Sequence, residues 1–458
     1  MAAVSSYPMS LQYTLQRMIG FSKNTVRVLP QTLTTANPTD TSIWLLPQNQ
    51  LVDLSSIALK GDLVAIKGAG STDQVVFPRY SQSFIDLLDV SVNGTSIDAS
   101  CPYYGRLHKI LTDYVEGDKI GQMFNLEMGA TFNPAGYALL PGVEYAAATG
   151  PFGNATAPGS ASSDPNNSSA TLNALPWYCA GFQGVLGCGK CLDTSVCGDV
   201  RVSLRYAPST IIAGVGTTSN FTYQIQNLSM LVDVWSLDDG VFYSLLQQRL
   251  QSSPISIPFT RFISMTGPSF NSGTSIRWSV TTQSLDALIV TFVSATGYSS
   301  KTYSASTSNV PVPYYTHTAA GIGTLQLSAN SVYYPAYPMS IAESYYSLLT
   351  ALGLQDKAFG SVNPNMQGTA VPLGNYLNTY FATAFRFNAG NPDHQNPFSV
   401  PGIISGIDCR GLTLAGTVEV VPSTLNSTLA SNPLIPYLYA KTTAVLDIGA
   451  YRSCALRQ

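Results

Sequence analysis

The sequence predicts an all-β protein made of two successive β-domains of similar plan, and three observations carry the prediction. The chain of 458 residues is too long for one core and has the length of two or three domains. Only 10% of its residues are charged, where about 25% is usual, and Ser, Thr, Gly, Pro and Tyr carry the surface instead. Such a composition suits a β-rich chain that buries surface against copies of itself, and suits an extracellular β-protein equally well. Third, one stretch is written twice. Gly323–Gln355, GTLQLSANSVYYPAYPMSIAESYYSLLTALGLQ, opens with Leu325, Leu327 and Ala329 alternating with Thr324, Gln326 and Ser328, the period of a half-buried strand. Tyr333–Pro338 reads as a Tyr/Pro-rich turn, after which Tyr345, Leu348, Leu349 and Leu352 mark an amphipathic helix. In Phe84–Tyr114, FIDLLDVSVNGTSIDASCPYYGRLHKILTDY, Leu88, Val90 and Val92 alternate with polar residues and Asn93-Gly94 makes the turn. A second Tyr-Tyr pair then leads into the helical stripe Leu107, Ile110, Leu111 and Tyr114. The two copies lie roughly 240 residues apart, a domain-sized period.

Residues 1–24 read as an N-terminal arm, with Leu11, Leu15, Met18 and Ile19 on one helical face. It carries too little charge for a basic membrane anchor and is expected to clip onto a neighbouring subunit or its own domain. The first domain, 25–252, opens with strand candidates Val26–Leu29, Ile43–Leu46, Leu59–Ile66 and Gln74–Tyr80, spaced as in a sandwich or barrel. Beyond the first copy of the repeated stretch, residues 130–198 are crowded with Gly, Ala, Pro, Ser and Asn and read as a long loop insertion. Strand patterning returns at Arg201–Tyr206, Phe221–Ile225 and Ser229–Leu237, and Val241–Gln251 reads as a helix. Gln251-Ser252-Ser253-Pro254 is the cleanest boundary. The second domain, 253–458, starts over with Ile255–Ile263, Ser275–Thr281 and Ala287–Val293. After its own copy of the repeated stretch come Tyr380–Asn388, Leu412–Val421 and Leu438–Tyr451. Even the ends echo, Leu231–Trp235 against Val445–Gly449.

Chemistry is thin. His108, His317 and His394 are the only histidines, and no GxSxG elbow, HExxH, P-loop or dinucleotide fingerprint accompanies them. No catalytic or cofactor-binding residue is expected, and the chain is read as a non-enzyme. The one dense constellation is Cys179, Cys188, Cys191 and Cys197, spaced C-x8-C-x2-C-x5-C inside the insertion. Four thiolates hold zinc in other proteins, disulfides tie down coreless loops, and free thiols are the third alternative; the spacing is that of no standard finger. Cys101, Cys409 and Cys454 read as small buried hydrophobes. A net charge of −3 gives no general attraction to nucleic acid. No apolar run is long enough for a transmembrane helix, and the N-terminus, with Met1 in place, lacks a signal-peptide core. Asn93, Asn154, Asn166, Asn167, Asn220, Asn227 and Asn426 match the glycosylation sequon, as chance produces in so Asn-, Ser- and Thr-rich a chain.

Taken with the segments SANSVYYPAYPMSIAESYYSLLTALG, GLTLAGTVEVV and TTAVLDIGAY, this plan over residues 25–458 resembles the double jelly-roll major capsid proteins of icosahedral double-stranded DNA viruses, the adenovirus, tectivirus, virophage and polinton-like lineage. The resemblance implies two tandem eight-stranded jelly rolls with short helices and long loop insertions. It implies a coat subunit of the virion, forming homotrimeric pseudo-hexagonal capsomers that tile the shell. Residues 130–198 and 296–320 would then form outward towers. The arm would face minor capsid or penton proteins or an internal membrane, with no direct sequence-specific contact to nucleic acid. The Cys-rich insertion is no hallmark of that family. The rival readings are a secreted or surface β-sandwich adhesin or carbohydrate-binding protein, and an enzyme on a jelly-roll scaffold.

Overall fold

The structure, a computed structural model, describes residues 20–67, 74–78, 80–98, 101–115, 175–215, 221–238, 240–271, 275–301, 313–329, 332–352, 373–387, 406–410, 416–422 and 432–458. The helical face expected at Leu11–Ile19, most of the insertion and His394 lie outside them.

The first half begins with β1 (Gly20–Val28), β2 (Thr41–Leu45), β3 (Leu51–Asp53), β4 (Ala58–Lys67), β5 (Gln74–Val76) and β6 (Ile85–Val92). Asn93 and Gly94 both adopt positive φ, +48° and +79°, the geometry of a tight hairpin turn, and return the chain as β7 (Thr95–Asp98). Then come helix α1 (Tyr104–Val115), β8 (Leu175–Cys179), β9 (Cys191–Asp193) and the four-residue helix α2 (Thr194–Cys197). β10 (Val200–Tyr206), β11 (Ala213–Val215) and β12 (Phe221–Asp238) end the half, ahead of α3 (Gly240–Ser252). The second half runs β13 (Ile255–Thr266), β14 (Ile276–Val280), β15 (Leu285–Ser294), β16 (Thr324–Ala329) and β17 (Val332–Ser340). It continues through α4 (Ile341–Ala351), α5 (Leu373–Thr379), β18 (Thr383–Arg386), β19 (Gly416–Pro422), β20 (Leu434–Ile448) and β21 (Cys454–Arg457).

The two halves share one strand order. The first has sheets β1-β12-β4-β8 and β2-β10-β6-β7; the second has β13-β20-β15-β18 and β14-β19-β16-β17. β3 and β9 extend the first of these sheets, β5 pairs β11, and β21 adds to β20. With those short additions set aside, each half places its first, eighth, third and sixth strands in one sheet and its second, seventh, fourth and fifth in the other. That is the jelly roll, met twice.

Strands form where alternation and β-branched residues put one face inward. In β10, Val200, Val202, Leu204 and Tyr206 are buried while Arg201 and Arg205 face out. The two segments expected at Phe221–Ile225 and Ser229–Leu237 are one strand, β12, whose register shifts between Gln226 and Ser229. Asn227 takes a positive φ of +53° there, and its amide donates to Asp62 at 2.7 Å. Opposite the bulge sits Gly61, where a Cβ would lie 2.8 Å from Ile225 Cγ2, so only glycine lets the strands approach.

Two expectations need correction. Tyr333–Pro338 lies inside strand β17 and is no turn between elements. Its ladder to β16 jumps from Tyr334 to Met339, leaving Pro335–Pro338 as a bulge on a strand at the end of its sheet, where proline removes no needed donor. The C-terminal part of the supposed loop insertion contains β8, paired with β4 from Leu175 to Cys179. Burial of Trp177 and Cys179 fixes this strand amid loop-like sequence.

Neither core is closed within its own half. The first includes Phe259, Tyr314, Tyr315, Ala444, Leu446 and Ile448 from the second half. The second includes Cys101, Leu107, Ile110, Leu111 and Tyr114 from α1 and the residues before it. The halves therefore meet across a joint packed with apolar side chains from both, with α1 at its centre.

Candidate assembly surface

α1 is buried on every side from Tyr104 to Tyr114, its charged residues included. Toward the first half, the Tyr104 hydroxyl accepts from the Gln183 backbone at 2.7 Å and Tyr80 donates to Asp113 at 2.6 Å. Gly105 lies so near the 81–85 backbone that a Cβ would sit 2.8 Å from the Gln82 carbonyl oxygen. Toward the second half, Tyr114 donates to the Tyr380 carbonyl at 2.6 Å, and Ser264 donates to the Pro102 carbonyl. Lys109 and Asp113, one turn apart, form a buried ion pair, and Arg106 enters a cage of tyrosine rings. At the end of β7, burial pushes the Asp98 carboxyl up to about 7, while the Val185 N–H, 3.0 Å away, and the charge of Arg261 pull it back.

α4 follows β17 as α1 follows β7. A capping box starts it: Ser340 Oγ accepts from Glu343 N–H at 3.3 Å, and the Glu343 carboxylate accepts from Ser340 N–H at 2.7 Å. Leu348, Leu349 and Leu352 are buried as the stripe predicts, and Tyr345 is half-buried against Tyr376. Its outer face is open. Tyr346 is 63% exposed, and Val332, Tyr333 and Tyr337 on β17 are each more than half exposed. In the first half, β21 lies against β7, and Asn93 donates to the Arg452 carbonyl at 2.9 Å. β17 ends its own sheet.

The predicted cysteine constellation divides between core and surface. Cys179 and Cys197 are buried, Cys188 is half-buried and Cys191 is exposed. No disulfide joins any two of the seven cysteines in this structure, and no group of three or more His, Cys, Asp or Glu among the described residues is placed to hold a metal ion. Burial pushes the Cys197 thiol up to about 12, away from reactivity. His108 and His317 are buried too; burial pushes His108 down to about 3 and His317 well below its usual range, so both are neutral. Two sequons are described: Asn93 is taken by Arg452, and Asn227 by Asp62. Of the expected tower at 296–320, residues 314, 315, 317, 318 and 319 are buried, Tyr314 and Tyr315 in the core of the first half. Arg106, Asp113 and Asp98 were not legible as joint residues, because Lys109 and Asp113 at i, i+4 have the spacing of an ordinary solvent-facing pair. No helix among the described residues is long and apolar enough to cross a membrane.

No family model and no curated protein matches this sequence. Solved structures do match, over nearly the whole chain. The Faustovirus major capsid protein superposes with a TM-score of 0.58 at 10% identity, covering 95% of this chain and 92% of its own. PBCV-1 VP54, fitted into a cryo-EM reconstruction of the virophage Sputnik, gives 0.57 at 11% identity, covering 97% and 98%. The mavirus major capsid protein gives 0.50 at 12% identity, covering 99% and 94%. With the strand order above, these likenesses establish the fold as the double jelly roll.

Proposed function

We propose that this chain is a major capsid protein whose copies form homotrimeric, pseudo-hexagonal capsomers in the shell of an icosahedral virion. The fold supports the capsid role, since the solved neighbours are viral major capsid proteins. The trimer rests on one observation: Val332, Tyr333 and Tyr337 of β17 and Tyr346 of α4 are each more than half exposed on adjoining elements of the second half. One joint between jelly rolls is closed inside the chain, and an exposed aromatic surface of this kind suits a second joint, to another copy. Head-to-tail repetition of that contact closes a ring when the rotation allows it, and three copies of two jelly rolls give six wedges. We assign residues 25–252 and 253–458 as those wedges. Residues 1–24 are the arm, directed to minor capsid or penton proteins or to an internal membrane. A net charge of −3 fits a coat that leaves sequence-specific nucleic-acid contact to other proteins.

Exposed Tyr333, Tyr337 and Tyr346 also suit a glycan-binding platform, the rival reading. Sedimentation of the purified chain separates the two. A coat subunit runs at about three times 48.8 kDa, and the triple variant Tyr333→Ser, Tyr337→Ser, Tyr346→Ser runs as a folded monomer. A wild-type chain that stays monomeric at micromolar concentration overturns the trimer. If that monomer also binds a glycan array and the triple variant does not, the rival reading replaces it.

A further inference from the structure

We propose that Arg106 holds a small inorganic anion, of chloride size and unit charge, buried at the joint between the two jelly rolls. This inference is independent of the capsid reading. Arg106 projects from α1 and is 1% exposed, and its Nε, Nη1 and Nη2 all lie buried with no hydrogen-bond partner among the described residues. Four rings from the second half surround its guanidinium carbon: Tyr437 at 4.6 Å, Tyr314 at 4.7 Å, Tyr315 at 5.8 Å and Tyr298 at 6.0 Å. Ring faces attract the cation, but they accept no directed hydrogen bond from the five N–H groups at its edge. A buried donor left this way is costly, and native proteins satisfy nearly all of them.

Among the described residues, the surroundings supply no counter-charge. Asp113 is already shared between Lys109 and the Tyr80 hydroxyl. Asp86, whose field reaches Tyr314 and Tyr315, is held by Arg205 through contacts of 2.6 and 2.9 Å. Lys109 and Asp113 cancel, which leaves Arg106 as one uncompensated positive charge in a desolvated joint. Two more buried polar atoms, the Tyr439 hydroxyl and Nε2 of His317, have no hydrogen-bond partner among the described residues, and the charge of Arg106 acts on both groups. An anion in the guanidinium plane accepts from Arg106 and from a neighbouring hydroxyl or imidazole N–H, and neutralises the charge. The enclosure by rings favours a halide over a larger oxyanion, and entry belongs to folding, before the halves close.

The probe is bromide. Crystals of the full chain grown with bromide in place of chloride are expected to show an anomalous peak within hydrogen-bond distance of the Arg106 nitrogens. In urea unfolding at matched ionic strength, chloride replacing gluconate is expected to lower the unfolding constant about tenfold per tenfold rise in chloride above Kd. Arg106→Met is expected to lose both signals. A water in the guanidinium plane with no anomalous peak, or equal stability in chloride and gluconate, overturns the proposal. Should Arg106→Met fail to fold, the wild-type peak decides alone.

Discussion

α1 and α4 occupy the same place in two copies of one fold, each after the fifth strand, yet they live in different solvents. Every side chain of α1 from Tyr104 to Tyr114 is buried, whereas α4 leaves Ala342, Glu343 and Tyr346 exposed. The difference does not lie in the apolar stripes, since Leu107, Ile110, Leu111 and Tyr114 match Tyr345, Leu348, Leu349 and Leu352 position for position. It lies on the flank beside the stripe. The positions of α4 that open to solvent, Ala342, Glu343 and Tyr346, correspond to Tyr104, Gly105 and His108 of α1, which the first half covers through Gln183, the 82–85 backbone and Tyr80. Arg106, Lys109 and Asp113 correspond to Ser344, Ser347 and Ala351, none of which is exposed. Two like helices therefore differ in what the rest of their own half lays over the same flank.

The comparison breaks most severely at the buried ion pair. Asp113→Ala strands the Lys109 ammonium and the Tyr80 hydroxyl, and is expected to cost about 3–5 kcal/mol in urea unfolding. A loss below about 1 kcal/mol would mean that water reaches α1. Next come matched stripe deletions. Leu111→Ala and Leu349→Ala each remove a buried side chain and are expected to cost about 2–5 kcal/mol, with Leu111 the higher because both halves confine its site. One cooperative transition is expected for both halves of the Leu111 variant; a second half that melts separately would show that the joint is not shared.

Asp98 sharpens the contrast through pH. Its carboxyl is pushed up to about 7, above the value it has in an unfolded chain, so the folded state binds the proton more tightly. The associated stability is present in full below about pH 4 and is lost as pH rises through about 7. Asp98→Asn is expected to gain on wild type as pH rises from about 4 to 7, by up to about 1.4 kcal/mol per pH unit in that window. A difference between the two that stays flat across the window refutes the buried, proton-binding carboxyl. His108 acts in the opposite direction: kept neutral down to about 3, it makes the fold lose stability as pH falls below about 6.5.

Smaller effects belong to the open helix. Ser340→Ala removes a cap and is expected to cost about 1 kcal/mol in the same assay. Tyr346→Ser is expected to change the stability of a folded monomer by less than about 0.5 kcal/mol, because its ring is mostly in water. A large loss would place Tyr346 in a contact inside the chain.

How far the fold could be read from residues varies with how local the cause is. Alternation in Arg201–Tyr206 and the helical stripes at Leu107 and Leu348 are local patterns, and each became the expected element. The echo of Leu231–Trp235 in Val445–Gly449 fell on the eighth strand of both halves but for Gly449, one residue past β20. β8 was hidden because its reason for being a strand, a core that accepts Trp177, lies elsewhere in the chain. β17 was read as a turn because two prolines sit in it, and only its place at the end of a sheet makes them tolerable.

By itself, then, the amino-acid order determined a duplicated β-protein poor in charge, with hairpin, Tyr-Tyr pair and short helix recurring in each half. That much follows from periodicity and turn chemistry, which act over a few residues. Only the tertiary structure decided which of two like helices is enclosed, that Arg106, Asp98 and Asp113 are interior groups, and that four cysteines close in sequence part company. Those outcomes depend on what packs against each group from elsewhere in the chain, and no local pattern carries that information.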